Sequence, residues 1–242
     1  MTLSLKDRVC VITGASQGIG EAVARGFAKR GGIVVATSLQ TPAIEEAALN
    51  LAWDVSQPQQ ARDIMKQVVD RFGRVDALVC NAGIYPRQQW DEITLEDWQK
   101  VLAVNLDGTW HAIQAAAPYM TQQGYGKVVT VTSVEVVMGV PVHAHYDASK
   151  AGIIGLTRSL ARALGRQGVR INAIMPGAIQ TPTELIQFPD QADVARRVDE
   201  RQCIPGRILP EDIEPSFAFL CAAESDPMTG QVLCVDKGLV HW

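Results

Sequence analysis

Two residues one helical turn apart, Tyr146 and Lys150 in Tyr146-Asp-Ala-Ser-Lys150, and a serine thirteen residues before the tyrosine, Ser133, are of the types that move a proton onto or off an oxygen. At i and i+4 a helix places the phenol and the ammonium on one face. A free phenol titrates near pH 10, too high for acid–base work at neutrality, and an adjacent cation favours its phenolate. The pair is thereby drawn toward the range of general acid–base catalysis, although the same spacing also suits an ordinary solvated surface pair. Ser133 follows the apolar run that ends Val131-Thr132, where its hydroxyl could hold a substrate oxygen opposite the phenol.

A second group of residues suits a phosphate. Val9-Cys-Val-Ile-Thr13 runs into Gly14-Ala-Ser-Gln-Gly18-Ile-Gly20, and a helical pattern begins at Glu21. Glycines let the chain reverse tightly and the backbone approach a pyrophosphate, with Ser16, Gln17 and Ile19 between them. The next helix points its free N–H groups and positive dipole end at the phosphates. The spacing is GxxxGxG, and the strand before it and the helix after it supply the context such a turn needs. Asp54-Val55 closes a weak third strand, where a carboxylate and a backbone amide could face an adenine. Asn81-Ala82-Gly83 follows the fourth strand, at a carboxyl edge where open α/β sheets bind ligands; it also reads as a plain turn.

With Asn105 in Val104-Asn105-Leu106 and Pro176-Gly177 added, the chain resembles the short-chain dehydrogenase/reductase family over nearly its whole length. The resemblance implies a seven-stranded Rossmann-type sheet and assembly as homodimers or homotetramers. It implies that Tyr146 is the general acid/base, that Ser133 orients the carbonyl or alcohol, and that Asn105 holds a relay water. Lys150 would bind the nicotinamide ribose and lower the tyrosine pKa. Thr181 would contact the carboxamide, and Pro176, Gly177 and Ile179 would join it among the coenzyme residues. Two residues depart from the family pattern: Cys80 stands where the turn usually has its first asparagine, and Lys237 where relatives commonly have glycine. A positive φ there would strain the lysine.

The coenzyme choice turns on the end of the second strand. Relatives that prefer NAD carry an acid there for the ribose 2′-hydroxyl; here the place falls at Ser38, after Thr37. No arginine is present to pair with a 2′-phosphate, but Thr37 and Ser38 could donate to one, and NADP(H) is slightly favoured over NAD(H). In such relatives the substrate meets residues that correspond here to Ile84, Tyr85, Trp90, Glu135, Val137, Met138, His143, Ala178 and the segment 184–188. Glu135 is the unusual one: a carboxylate in a pocket can bind hydroxyls or an ammonium, which suggests a sugar or polyol, whereas Tyr85 and Trp90 suit an aromatic ketone. His143 is a candidate substrate contact. No carboxylate cluster at ligand spacing accompanies the histidines, so no metal is expected.

These residues need a scaffold to position them. Apolar runs at 9–13, 33–37, 77–80, 127–132, 169–174 and 231–235, with a weaker one at 49–53, alternate with helical patterns at 18–30, 59–72, 94–122 and 147–167. Strands that are apolar throughout belong in a sheet covered on both faces. The alternation therefore predicts an α/β fold: a doubly wound parallel sheet of about seven strands in one domain spanning residues 1–242. An irregular stretch at 178–207 is read as a lid over the site.

Composition narrows the partners. With 242 residues, 47% of them hydrophobic, the chain can bury a core without staples. A formal net charge of −4 argues against nucleic-acid or anionic-membrane binding. Five scattered cysteines without a CxxC pair suggest a reducing compartment, and residues 1–8 lack the apolar run of a secretory signal, so the cytoplasm is expected. The closing His241-Trp242 could reach a neighbouring subunit. The leading expectation is a nicotinamide-dependent oxidoreductase that interconverts an alcohol and a ketone. The alternatives are a non-catalytic dinucleotide-binding regulator, which ought to have lost part of the catalytic group, and a 3-oxoacyl-carrier reductase. The latter needs a basic patch such as Arg158, Arg162, Arg166 and Arg170 exposed together.

Overall fold

The structure, a computed structural model, describes residues 3–241; Met1 and Thr2, and Trp242 of the C-terminal end, lie outside the described residues. Its elements are β1 (Val9–Thr13), α1 (Gly18–Lys29), β2 (Ile33–Ser38), β3 (Leu49–Ala52), α2 (Pro58–Phe72), β4 (Ala77–Cys80), α3 (Leu95–Leu102) and α4 (Gly108–Gln122). There follow β5 (Gly126–Val131), α5 (Glu135–Met138), α6 (Ala144–Leu164), β6 (Val169–Pro176), α7 (Pro182–Gln187), α8 (Gln191–Asp199), α9 (Pro210–Cys221) and β7 (Val232–Val235). The seven strands pair in parallel in the order β3-β2-β1-β4-β5-β6-β7. The order reverses between β1 and β4, and at such a switch point the connecting chains leave a crevice above the strand ends.

The central strands are apolar throughout because both sheet faces are covered. Every residue of β1, β4 and β5 is buried. In β1 the side chains alternate as a pleat requires: Cys10 and Ile12 enter one core with Phe27 of α1 and Phe217 of α9, while Val9 and Val11 enter the other with Met65 of α2 and Met120 of α4. No helix among the described residues is long and apolar enough to cross a membrane.

The structure corrects the sequence reading in three places. The stretch 94–122 is not one helix: Thr94 caps α3, a π-helical turn at Ala103–Asp107 follows, and α4 begins at Gly108. That wider turn carries Asn105, whose hydrogen bonds are described below. The segment 178–207 is less irregular than its prolines suggest, since it holds α7 and α8. Pro182 occupies the first turn of α7, where a missing N–H costs nothing. The sequence reading also passed over α9, masked by Pro210 at its start and Pro215 within it. Lys237 does adopt a left-handed backbone, φ 55°, and its Nζ donates to the carbonyls of Pro205, Gly206 and Arg207 at the base of the lid segment.

Asp76, 1% exposed, joins the bottom of the sheet. Its Oδ2 accepts from the Val9 amide at 2.9 Å and from Arg74 Nε at 2.8 Å, and Arg8 reaches its other oxygen at 3.3 Å. Asp76→Ala leaves a buried amide without an acceptor and is expected to cost about 2 kcal/mol. Urea unfolding checks this; a loss below a few tenths of that figure would mean that the network is idle.

Candidate active site

The glycine turn forms because β1 and β4 end side by side. Gly14 takes φ 68°, and a Cβ on it would stand 2.8 Å from the Ala82 Cα. Gly20 packs its α-carbon on the Gly14 carbonyl. Asn81 stitches the two turns together: its Nδ2 donates to the carbonyls of Thr13 and Gly14, and its amide and that of Ala82 both donate to Thr13 Oγ1 at 3.0 Å. Gln17, at the start of α1, makes no capping bond, so the first-turn N–H groups of that helix are left for a ligand.

Above these turns lies a cleft of about 820 Å³. Gly14, Ser16, Gln17, Gly18, Ile19, Ser38, Asp54, Val55, Asn81, Ala82 and Gly83 line one part of it. Pro176, Gly177, Ile179 and Thr181 line the middle, and Ser133, Tyr146, Lys150, Glu135, His143 and Tyr85 the other end. A glycine-lined cradle with unpaired helix N–H groups at one end and a phenol at the other fits a nicotinamide dinucleotide laid across the switch point. A Cβ on Gly177 would stand 2.7 Å from the Asp236 Cα, so the chain there can pass only as glycine.

Several expected contacts are not made. Thr37 is fully buried, its hydroxyl donates to the Ile12 carbonyl, and it does not reach the cleft; its neighbour Ser38 does, because side chains alternate along a strand. The Ser38 and Ser16 hydroxyls are 3.0 Å apart. Gly20 serves packing rather than the lining. Trp90 is 73% exposed and stands outside the cleft, as does Val137. Asn105, also off the lining, spends its side chain on the fold: Oδ1 accepts from the Ile84 amide at 2.8 Å, and Nδ2 donates to the Ile84 carbonyl and to Ser149 Oγ. It pins the loop after β4 to α6.

The residues expected to handle the proton come from two elements. Thr132 at the end of β5 donates its hydroxyl to the Lys150 carbonyl, and Lys150 Nζ donates to the Val131 carbonyl at 2.8 Å. Ser133, on the same strand end, has its hydroxyl beside the Tyr146 phenol. Lys150 Nζ is 5.7 Å from the centre of the Tyr146 ring. Against the expected lowering of the phenol by this cation stands burial, the largest influence on both groups. Burial pushes Tyr146 above its ordinary value, the Ser133 hydroxyl opposes this, and nearby Glu135 adds to it. Burial also brings the Lys150 ammonium down to about 8. Burial acts on each group in the sense that disfavours its charged form.

Glu135 lines the cleft, and its Oε2 stands 2.7 Å from His143 Nδ1. The segment 178–207 contributes residues that no local motif announces. Gln17 Nε2 donates to Thr183 Oγ1 and ties the glycine turn to α7. Arg207 donates to both oxygens of Glu184 at 2.7 and 2.8 Å. Arg197 and Arg201, on and just after α8, line the cleft mouth. Ser149, Thr183 and these arginines carry signals only in three dimensions, where distant segments meet.

A family model described as enoyl-(acyl carrier protein) reductase matches residues 14–240. The 3-oxoacyl-(acyl-carrier-protein) reductase FabG of Thermotoga maritima is 36% identical over 98% of this chain and 100% of its own. The L-rhamnose 1-dehydrogenase (NAD(P)(+)) of a Sphingomonas species is 34% identical over 97% of each. Among solved structures, a short-chain type dehydrogenase/reductase from Mycobacterium marinum superposes with a TM-score of 0.90 at 30% identity, covering 98% of this chain and 97% of that one.

Proposed function

This chain belongs to the short-chain dehydrogenase/reductase family, and from that premise we propose that it interconverts the secondary alcohol and the ketone of a small polyhydroxylated compound, with Tyr146 as general acid/base. The observation that carries this reading is the Ser133 hydroxyl beside the Tyr146 phenol in the cleft that also holds the glycine turn. A bound nicotinamide coenzyme supplies or accepts the hydride. Tyr146 gives its proton to the forming alkoxide during reduction and takes it back during oxidation, while Ser133 holds the same oxygen. Lys150, fixed between Thr132 and the Val131 carbonyl, offers its ammonium to the ribose. Gln17, Thr181 and Thr183 join the glycine turn to the lid, which shields the exchange from water.

The test is hydride transfer. Sugars, polyols and simple alcohols are offered with either oxidised coenzyme, and the matching ketones with either reduced one. Turnover concentrated among the polyhydroxylated compounds supports the proposal. Coenzyme binding without turnover on any of them would favour the regulatory reading. The carrier-reductase reading has the Thermotoga relative in its favour. Arg158, Arg162 and Arg166 are indeed exposed. They lie twelve to twenty residues beyond Tyr146 on and just after α6, about 18 Å or more down the helix axis and away from the cleft mouth, which weighs against a carrier docked on them.

NADP(H) is proposed as the preferred coenzyme. In support, β2 ends in the Ser38 hydroxyl facing that of Ser16, with no carboxylate there to repel a 2′-phosphate. The expected result is a several-fold higher kcat/KM with NADPH than with NADH, and a preference reversed in Ser38→Asp, whose carboxylate would hold a ribose hydroxyl instead. A native preference for NADH would overturn it. Assembly as a homodimer or homotetramer is proposed from the part-exposed Trp98 and Trp110 on neighbouring helices, and a cytoplasmic location from the five unpaired cysteines.

A further inference from the structure

One polar atom beside the reacting phenol has no partner. His143, 3% exposed, begins the turn that leads into α6, three residues before Tyr146. Its Nδ1 is 2.7 Å from Glu135 Oε2, and its Nε2 is buried without a hydrogen-bond partner. The imidazole packs edge-on against two phenol rings, with its centre 6.3 Å from that of Tyr85 and 5.8 Å from that of Tyr146.

Resting on the oxidoreductase reading above, we infer that His143 Nε2 binds a second hydroxyl of the substrate, on a carbon next to the one that exchanges hydride, and that Glu135 is the positioning residue that holds the imidazole for it. A carboxylate oxygen accepts, so Nδ1 is the donor in this contact, and Nε2 is the ring nitrogen left to meet a hydroxyl. A second carboxyl group lies next to Glu135. Asp147, whose Oδ2 accepts from the Val140 amide, stands beside it, and burial together with Glu135 raises the Asp147 carboxyl. The carboxylate that the sequence offered as a hydroxyl binder is thus already engaged, and the group left unsatisfied is the imidazole it orients. Buried polar atoms are rarely left unpaired without a use.

Tyr85 packs beside the imidazole and also lines the cleft. The phenol of Tyr85 lies beside the hydroxyls of Thr181 and Thr183, and its carbonyl accepts from Gln187 Nε2, so the ring is tied to α7 of the lid. A substrate with hydroxyls on adjacent carbons would place one oxygen between Ser133 and Tyr146 and the other on Nε2, moving the Tyr85 ring aside. A simple alcohol leaves Nε2 as unsatisfied as before, and a site built to meet a hydroxyl discriminates strongly against an analogue that lacks it.

The experiment compares cyclohexane-1,2-diol with cyclohexanol. Dissociation constants are taken by ligand-observed NMR titration of the NADP⁺-loaded Tyr146→Phe protein, and kcat/KM is taken with the unaltered protein. The diol is expected to bind at least about tenfold more tightly than the alcohol. Adding His143→Phe should bring the ratio near one, and adding Glu135→Gln, which still offers an oxygen to Nδ1–H, should keep most of it. Glu135→Leu should lose it. Melting curves verify that each variant is folded; if His143→Phe is not, His143→Leu takes its place. A ratio near one in the parent, or one untouched by the His143 substitution, overturns the inference. Because binding is read without turnover, a protein that transfers no hydride would sink the oxidoreductase reading alone, while the titration still decides the role of His143.

Discussion

Tyr146→Phe is expected to lower kcat by roughly 10²–10⁴-fold, the range that a positioned acid or base contributes, while coenzyme affinity changes by no more than a few-fold. The substitution removes one oxygen and keeps the ring. The ring's neighbours, Tyr85 at 5.9 Å and His143 at 5.8 Å between centres, should hold it in place, so the loss would report chemistry rather than collapse. Steady-state rates and a coenzyme fluorescence titration check the two parts, and retention of more than a tenth of the turnover would remove Tyr146 from its proposed role. The pH dependence has a definite sign. Burial pushes the phenol upward, so the phenolate needed to take a proton from an alcohol becomes more abundant as pH rises. Alcohol oxidation should therefore accelerate from neutral toward alkaline pH, whereas ketone reduction, which uses the protonated phenol, should not.

Lys150→Met is expected to reduce turnover by at least about a hundredfold without destabilising the protein at pH 7, because the ammonium is 4% exposed and has only the Val131 carbonyl as acceptor. Burial brings Lys150 down to about 8, against about 10.4 in an unfolded chain. Below pH 8 the folded protein carries a cation in a dry site at a cost of up to about 3 kcal/mol. Methionine abolishes that cost but leaves the Val131 carbonyl without a donor, which returns about 1–3 kcal/mol. Between about pH 8 and 10.4 the unfolded wild-type chain binds more protons than the folded one, so wild-type stability rises with pH in that window relative to the variant. Melting temperatures without added coenzyme should thus be equal or higher for Lys150→Met at pH 7, with its relative standing falling above pH 8. A drop of several degrees at pH 7 would show that the ammonium is a structural strut instead.

Both variants bear on one idea, that a dry, packed site sets the protonation of its own machinery. At Tyr146 the phenol is raised, and at Lys150 the ammonium is lowered, although the two side chains are neighbours of opposite tendency. Exclusion of water acts on each charged form separately and is the largest influence on both groups.

What the amino-acid sequence determined by itself was everything carried by short spacing and by backbone chemistry. Glycines at 14, 18 and 20, an apolar strand before them and a helix after them announce a phosphate cradle, because the conformations required are local. The i,i+4 spacing placed Tyr146 and Lys150 on one helix face before any fold was known. Uniformly apolar strands announced a sheet covered on both sides. Only the tertiary structure decided which partner each polar group has. Glu135 meets His143 rather than solvent, Asn105 closes on Ile84 and Ser149, and Lys150 turns to a carbonyl on β5. It decided too that Ser38 reaches the cleft while Thr37 does not, and that Trp90 stays outside. Those outcomes depend on strand register, on the packing of loops far apart in sequence, and on the water that this packing expels, none of which is written in the spacing of neighbouring residues.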